Sequence, residues 1–103
     1  MIVYNKLIRD KIPEIIEGKG KSLTCHKADD REYLNALREK IKEEVEEFYE
    51  DPSTEEMGDI LEVLHALMDY HNLDKDEVEK IREDKARERG KFEKQLILES
   101  VEG

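Results

Sequence analysis

The chain has 103 residues, 45% of them charged, and a formal net charge of -10. This length predicts one small domain, residues 1–103, whose modest core makes a partner subunit a reasonable expectation. The acidic balance opposes binding to nucleic acid or to an anionic membrane, and no apolar stretch reaches transmembrane length. A single cysteine excludes an intrachain disulfide, so we expect a cytoplasmic protein.

The N-terminal part of the chain predicts one short helix. After an extended start at residues 1–5, a helix is expected over residues 10–17, with Pro13 tolerated in its first turn and Gly18 at its end. Residues 21–28 alternate weakly between polar and apolar and are expected to form a strand or a loop.

A long second helix follows. Asp29 and Asp30 offer N-caps, and an apolar stripe recurs at spacings of three and four until about Glu50. The stripe consists of Leu34, Leu37, Ile41, Val45 and Phe48. Asp51 and Pro52 end the helix.

The third helix has two candidate N-caps and runs to about Asn72. Either Asp51 caps it with Pro52 at the first helical position, or Ser53 caps it with Glu56 completing a capping box. Its apolar face comprises Met57, Ile60, Leu61, Leu64, Leu67, Met68 and His71. Because only a short turn separates them, the second and third helices predict an αα-hairpin.

A fourth helix begins at a second capping box, Asp74 with Glu77, and ends at Gly90. Its apolar stripe starts with Val78 and Ile81. Residues 96–98 are a short apolar run that predicts a strand or a docking tail.

Two matched pairs of acidic residues flank the predicted turn: Glu44 with Glu47, and Glu56 with Asp59. At 100° per residue, the members of each pair lie on adjacent turns along one shoulder of the core face of their helix. Antiparallel helices would bring the pairs together, and four converging carboxylates suit a hard divalent cation such as Mg2+. The alternative is a solvated acidic face, since residues 31–62 carry four basic and twelve acidic residues.

Two groups of basic residues accompany the acid pairs. Lys85 and Arg89 continue the stripe of the fourth helix, and they would either contact phosphate beside a metal or pair with acids of neighbouring helices. A basic patch near the N-terminus would either close over a substrate or cap helices and form salt bridges to the acidic helices. The patch comprises Asn5, Lys6, Arg9 and Lys11.

Taken together, the acid pairs, the capped turn and the trailing Lys-x-x-x-Arg resemble the all-α nucleoside triphosphate pyrophosphohydrolases. This superfamily includes MazG-like proteins, dimeric dUTPases and phosphoribosyl-ATP pyrophosphohydrolase. The start of the chain, from Tyr4 to Pro13, and its end, from Arg89 to Phe92, are similar to a small branch often labelled phosphoribosyl-ATP pyrophosphohydrolase-like. The resemblance covers nearly the whole chain.

The resemblance implies an all-α fold in which the helical hairpin and additional helices form a four-helix-bundle-like, MazG-like oligomer, a dimer or tetramer. It implies Mg2+ held by Glu44, Glu47, Glu56 and Asp59. It also implies hydrolysis of a nucleotide between its α and β phosphates, giving a monophosphate and pyrophosphate, as in a house-cleaning enzyme. The candidate catalytic residues are Glu43, which would orient or deprotonate the attacking water, and Glu47. The candidate substrate-binding residues are Lys85, Arg89, Asn5, Lys6 and Arg9.

Three other functions are compatible with parts of the sequence. Phosphoribosyl-ATP is an alternative substrate, although the Ser-Tyr-Thr signature of the histidine-pathway enzymes is missing. A non-enzymatic helical interaction protein would bury its stripes against a partner and use its acids for solubility. A di-iron carboxylate bundle would use the Glu-x-x-His element at Glu62 and His65, but such a site needs two of these elements.

Overall fold

All four predicted helices are present in the computed structural model of the chain, which describes residue 2 and residues 4–103. Within those residues the chain contains four helices and no strand. They are α1 (Ile12–Gly18), α2 (Asp30–Glu50), α3 (Thr54–Tyr70) and α4 (Lys75–Arg89). The all-α prediction is therefore confirmed. Met1 and Val3, part of the predicted extended start, lie outside the described residues.

Side-chain caps define where α2 and α3 begin. Asp29 accepts a hydrogen bond of 2.8 Å from the backbone N–H of Glu32, as its N-cap position predicts. Of the two candidate caps for α3, the structure selects Ser53, whose Oγ accepts a 3.2 Å hydrogen bond from the backbone N–H of Glu56. Asp51 is instead the residue that ends α2, so its alternative role as the N-cap of α3 is wrong.

Helix α4 begins and ends at the predicted residues. Asp74 accepts hydrogen bonds from two backbone N–H groups of the first turn, including that of Glu77 at 3.1 Å. Gly90 ends the helix with a φ of +84°, a conformation that glycine adopts without the steric cost of a Cβ atom. Residues 21–28 form a loop rather than a strand, and residues 96–98 lie in an exposed segment without regular structure.

Helices α2 and α3 form the predicted antiparallel hairpin. The hydroxyl of Tyr70, the last residue of α3, donates a 2.8 Å hydrogen bond to the carboxylate of Asp30, the first residue of α2. The ring of Tyr70 also lies 6.0 Å from that of Tyr33, centroid to centroid. Because the end of α3 meets the start of α2, the opposite ends of both helices meet at the turn, where the acid pairs lie.

The apolar core is small and lies between these two helices. Among the described residues, Leu37 of α2 and Val63 of α3 are the only buried hydrophobic side chains, and the remaining stripe residues of α2 are half-buried. Several large apolar side chains stay exposed, including Leu61 on α3 (50%) and Ile81 on α4 (55%). Within the described chain only α2 and α3 pack extensively on each other, and the molecule is elongated, measuring 63 × 31 × 24 Å.

Candidate metal centre

Five carboxylates from α2 and α3 converge near the turn of the hairpin. They form two overlapping groups of three, in each of which one oxygen from every residue lies within 4.8 Å of the others. The first group is Glu43, Glu44 and Glu47, all from α2. The second joins Glu44 to Glu56 and Asp59 of α3. The structure thus brings the four predicted metal ligands and the predicted catalytic Glu43 into one acidic cluster, with Glu44 shared between its two halves.

Glu44 lies at the buried centre of this cluster. Only 6% of the residue is exposed, and its Oε2 atom has no hydrogen-bond partner among the described residues. Glu56 likewise has a buried Oε2 atom without such a partner. An ionised oxygen removed from water is costly unless a hydrogen bond or an opposite charge compensates it. The two buried oxygens are therefore short of the positive charge that a bound cation would supply.

The pKa values of the buried glutamates indicate the same shortage of positive charge. Burial, followed by repulsion from Glu47, raises the pKa of Glu44 above its usual value, and the nearby Lys40 only partly offsets this. Burial also raises the pKa of Glu56, with further contributions from Asp59 and Glu44. Both carboxyl groups would hold a proton more readily than a free glutamate, because burial and repulsion within the cluster both disfavour the ionised form.

Lys40 is the one cation that α2 itself supplies to the cluster in the described structure. Its Nζ atom lies 3.4 Å from a carboxylate oxygen of Glu43 and 3.4 Å from one of Glu44. These contacts follow from the spacings of three and four residues between Lys40 and the two glutamates on the helix. Lys42 faces elsewhere and pairs with Glu39 at 3.7 Å.

The N-terminal basic patch supplies two more cations. The Nζ atom of Lys6 lies 3.0 Å from Oε1 of Glu43, and an Nη2 atom of Arg9 lies 2.7 Å from Oδ1 of Asp59. Of the two interpretations of the patch, the structure shows salt bridges to the acidic helices. The hydrogen bond that Lys6 donates to Glu43 raises the pKa of Lys6. For Glu43, burial favours the neutral form, but hydrogen bonds from Lys6 and Lys40 outweigh it and lower its pKa.

Asn5 directly precedes Lys6 in the chain. Its backbone has a φ of +47°, which asparagine tolerates better than most residues, and its side chain is exposed. Its predicted contact with a substrate stays a prediction.

Lys85 and Arg89 do not join the cluster in this single chain. Both are exposed on α4, which packs extensively on no other described helix. Their neighbours form ion pairs within α4 itself: Arg82 with Glu79 and Arg87 with Asp84. The predicted phosphate contacts of Lys85 and Arg89 therefore need either a movement of α4 or a second subunit.

The donor atoms of the cluster suit a hard divalent cation better than they suit the di-iron site considered from the sequence. In the described part of the chain, the groups able to hold a metal ion contain carboxylates only, and Mg2+ prefers hard oxygen ligands. Glu62 and His65, the candidate di-iron element, are both exposed on α3 and belong to neither group of the cluster.

Comparisons with known proteins leave the chemistry of the site as the main guide to its role. A scan against protein-family models, a search of curated proteins and a search of solved structures each found no match to this chain. In the described residues, no helix combines the length and the apolar character needed to cross a bilayer.

Proposed function

We propose that this protein is a Mg2+-dependent nucleoside triphosphate pyrophosphohydrolase of the MazG-like type. It would cleave its substrate between the α and β phosphates to release a nucleoside monophosphate and pyrophosphate. The observation that carries the proposal is the buried carboxylate of Glu44, which has an unpartnered oxygen at the junction of two groups of three carboxylates. A surface that served only for solubility would leave its charges in water.

The cluster divides into residues that would hold the metal and a residue next to it. Glu44, Glu47, Glu56 and Asp59 would bind Mg2+, which when bound would neutralise phosphate charge and activate water for attack. Glu43 adjoins this set, and its lowered pKa keeps it ionised at neutral pH. It would therefore accept a hydrogen bond from the attacking water and hold it in line with the α phosphate.

Binding of the substrate depends on positive charge, because a chain with a net charge of -10 repels a triphosphate. The cations that would hold the phosphates are Lys6 and Arg9, which already lie at the cluster, together with Lys85 and Arg89 of α4. Asn5 would extend the N-terminal side of this surface.

A homo-oligomer, a dimer or tetramer with a four-helix-bundle-like core, is part of the same proposal. Among the described apolar side chains only Leu37 and Val63 are buried, whereas Met57 and Leu61 of α3 and Ile81 of α4 are 41–55% exposed. A small domain that leaves this much apolar surface in water gains stability by covering it with a second copy. Sedimentation equilibrium would test this, and a monomer at micromolar concentration would contradict it.

A pyrophosphate-release assay over canonical and modified nucleoside triphosphates, with phosphoribosyl-ATP included, tests the function. We expect activity that requires Mg2+ and is lost in Asp59→Asn. Glu62→Gln is the matched control, because it removes the same charge from an exposed position of α3 outside the cluster. Full activity in EDTA, or equal losses in both variants, would refute the proposal.

Isothermal titration with Mg2+ separates this function from a non-enzymatic scaffold. We expect saturable binding to the wild-type protein and to Glu62→Gln, and none to Glu44→Gln. Failure of the wild-type protein to bind Mg2+ would favour a helical interaction protein.

A further inference from the structure

The N-terminal segment crosses the acidic cluster and is held there by two ion pairs. Lys6 contacts Glu43 on α2, and Arg9 contacts Asp59 on α3. One cation thus reaches each half of the cluster, and the segment bridges both arms of the hairpin. We call residues 6–9 the strap.

The strap binds a carboxylate that belongs to the proposed metal site. Arg9 donates a hydrogen bond of 2.7 Å to Oδ1 of Asp59, and Asp59 belongs to the group of three that is centred on Glu44. A guanidinium and a divalent cation carry the same sign of charge, and here both would bind the carboxylate of Asp59. Close approach of both to Asp59 would be repulsive, so binding of one disfavours the other.

The strap compensates the outer carboxylates only. Lys6 and Arg9 reach Glu43 and Asp59, while the buried Oε2 atoms of Glu44 and Glu56 stay without a hydrogen-bond partner in the described structure. A small ion could reach the buried oxygens of Glu44 and Glu56, which Lys6 and Arg9 do not contact. The strap is therefore an incomplete substitute for a metal ion.

The strap contacts are also weak enough to be exchanged. The side chains of Arg9 and Asp59 are 57% and 33% exposed, and those of Lys6 and Glu43 are 44% and 30% exposed. Ion pairs with this much access to water contribute little to stability. A divalent ion bound by several carboxylates would outcompete them.

We propose that the strap is an autoinhibitory contact that competes with a divalent cation for Asp59 and is released from Asp59 when the cation binds. Release makes the cationic groups of Lys6 and Arg9 available to phosphate oxygens. Metal binding and phosphate binding are thereby coupled through the same two side chains. The inference rests on the proposed function, because it assigns a regulatory contact to that metal site.

The first test is the affinity for Mg2+ alone, measured by isothermal titration. Arg9→Gln should bind Mg2+ about 2- to 5-fold more tightly than the wild-type protein, since it loses a competing exposed ion pair. Lys11→Gln is the matched control, because it removes one positive charge from the same stretch of chain at an exposed position. Affinity that is unchanged or weaker in Arg9→Gln, or raised equally in Lys11→Gln, overturns the proposal.

The second test uses inorganic tripolyphosphate with saturating Mg2+. The Lys6→Gln/Arg9→Gln variant should bind tripolyphosphate more weakly than the wild-type protein, although it binds Mg2+ more tightly. A purely structural role for the two residues would shift both affinities in the same direction. Equal tripolyphosphate affinity in variant and wild type would overturn the release of these cations to phosphate.

The third test follows the strap directly by limited trypsin digestion of the full chain. Addition of Mg2+ should accelerate cleavage after Lys6 and leave the rate after Lys91, in the exposed C-terminal segment, unchanged. Cleavage after Lys6 that slows or stays constant overturns the proposal. If the wild-type protein binds no Mg2+ at all, the proposed function fails; if it binds Mg2+ while Arg9→Gln behaves as wild type, the strap alone fails.

Discussion

Replacing the buried glutamate at the centre of the cluster by its neutral isostere should have opposite effects on stability with and without metal. Glu44 and Glu47 have carboxylate oxygens within 4.8 Å of each other, and two unit charges at that distance repel by about 1 kcal/mol in bulk water and about 3.5 kcal/mol at an effective dielectric constant of about 20. Lys40, 3.4 Å from Glu44, offsets part of this repulsion. We therefore expect Glu44→Gln to stabilise the metal-free protein by about 1 kcal/mol, or about 4–8 °C in Tm. The new amide N–H groups can donate to the neighbouring carboxylates.

Magnesium should make the wild-type protein more stable than Glu44→Gln. Binding to the folded state alone stabilises a protein by about 2.7 kcal/mol when the free ligand is at about 100 times its Kd. The wild-type protein should gain this amount and Glu44→Gln should not, so that the variant becomes the less stable of the two by about 2 kcal/mol. Thermal melts followed by circular dichroism in EDTA and in Mg2+ measure both effects.

The exposed Glu46 on the same helix supplies the control for this experiment. Glu46→Gln should leave the Mg2+-induced rise in Tm intact. The reasoning is refuted if Glu44→Gln melts below the wild-type protein in EDTA and Mg2+ raises both Tm values equally, because Glu44 would then be a structural acid rather than a site for a cation.

Three further predictions concern pH, capping and the core. Because the pKa values of Glu44 and Glu56 are raised, the folded state binds more protons than the unfolded state at pH values just above the usual pKa of 4.5. The stability of the metal-free protein should therefore fall as the pH rises from 4.5, and the affinity for Mg2+ should rise over the same range. Thermal melts and Mg2+ titrations at several pH values measure both effects, and a Mg2+ affinity that does not change with pH would contradict the assignment. The lowered pKa of Glu43 acts with the opposite sign, below 4.5. Ser53→Ala should cost about 1 kcal/mol through loss of the cap of α3, while substitution of the exposed Thr54 by alanine should cost less, as measured by urea unfolding. Leu37→Ala should cost about 2–5 kcal/mol by the same method, and a loss below 1 kcal/mol, roughly that of a surface position, would show that the hairpin core is not where stability resides.

Local chemistry explains why the helices were predictable. Capping by Asp29 and Asp74, the apolar periodicity of α2 and the positive φ of Gly90 depend on residues only a few positions apart. Even so, local rules left two caps open for α3, and only the hydrogen bond from Glu56 to Ser53 decided between them.

The acidic cluster was predictable in its members but not in its organisation. Helical spacing put Glu44 and Glu47 on one shoulder of α2, and the short turn implied that α3 would bring Glu56 and Asp59 to meet them. Spacing could not show that Glu44 is the buried member shared by two groups of three, because its burial depends on how closely α3 packs against α2.

The sequence by itself determined the four helices and the hairpin, because these follow from interactions between residues near in the chain. It also identified the acids of the cluster, because helical spacing places them on adjacent turns beside the hairpin turn. Only the tertiary structure decided that Arg9 contacts Asp59, fifty positions away, and that α4, which carries Lys85 and Arg89, packs extensively on no other described helix. Contacts between distant residues depend on the packing of whole helices and on the path of the segments that join them. No local pattern of residue types specifies that path.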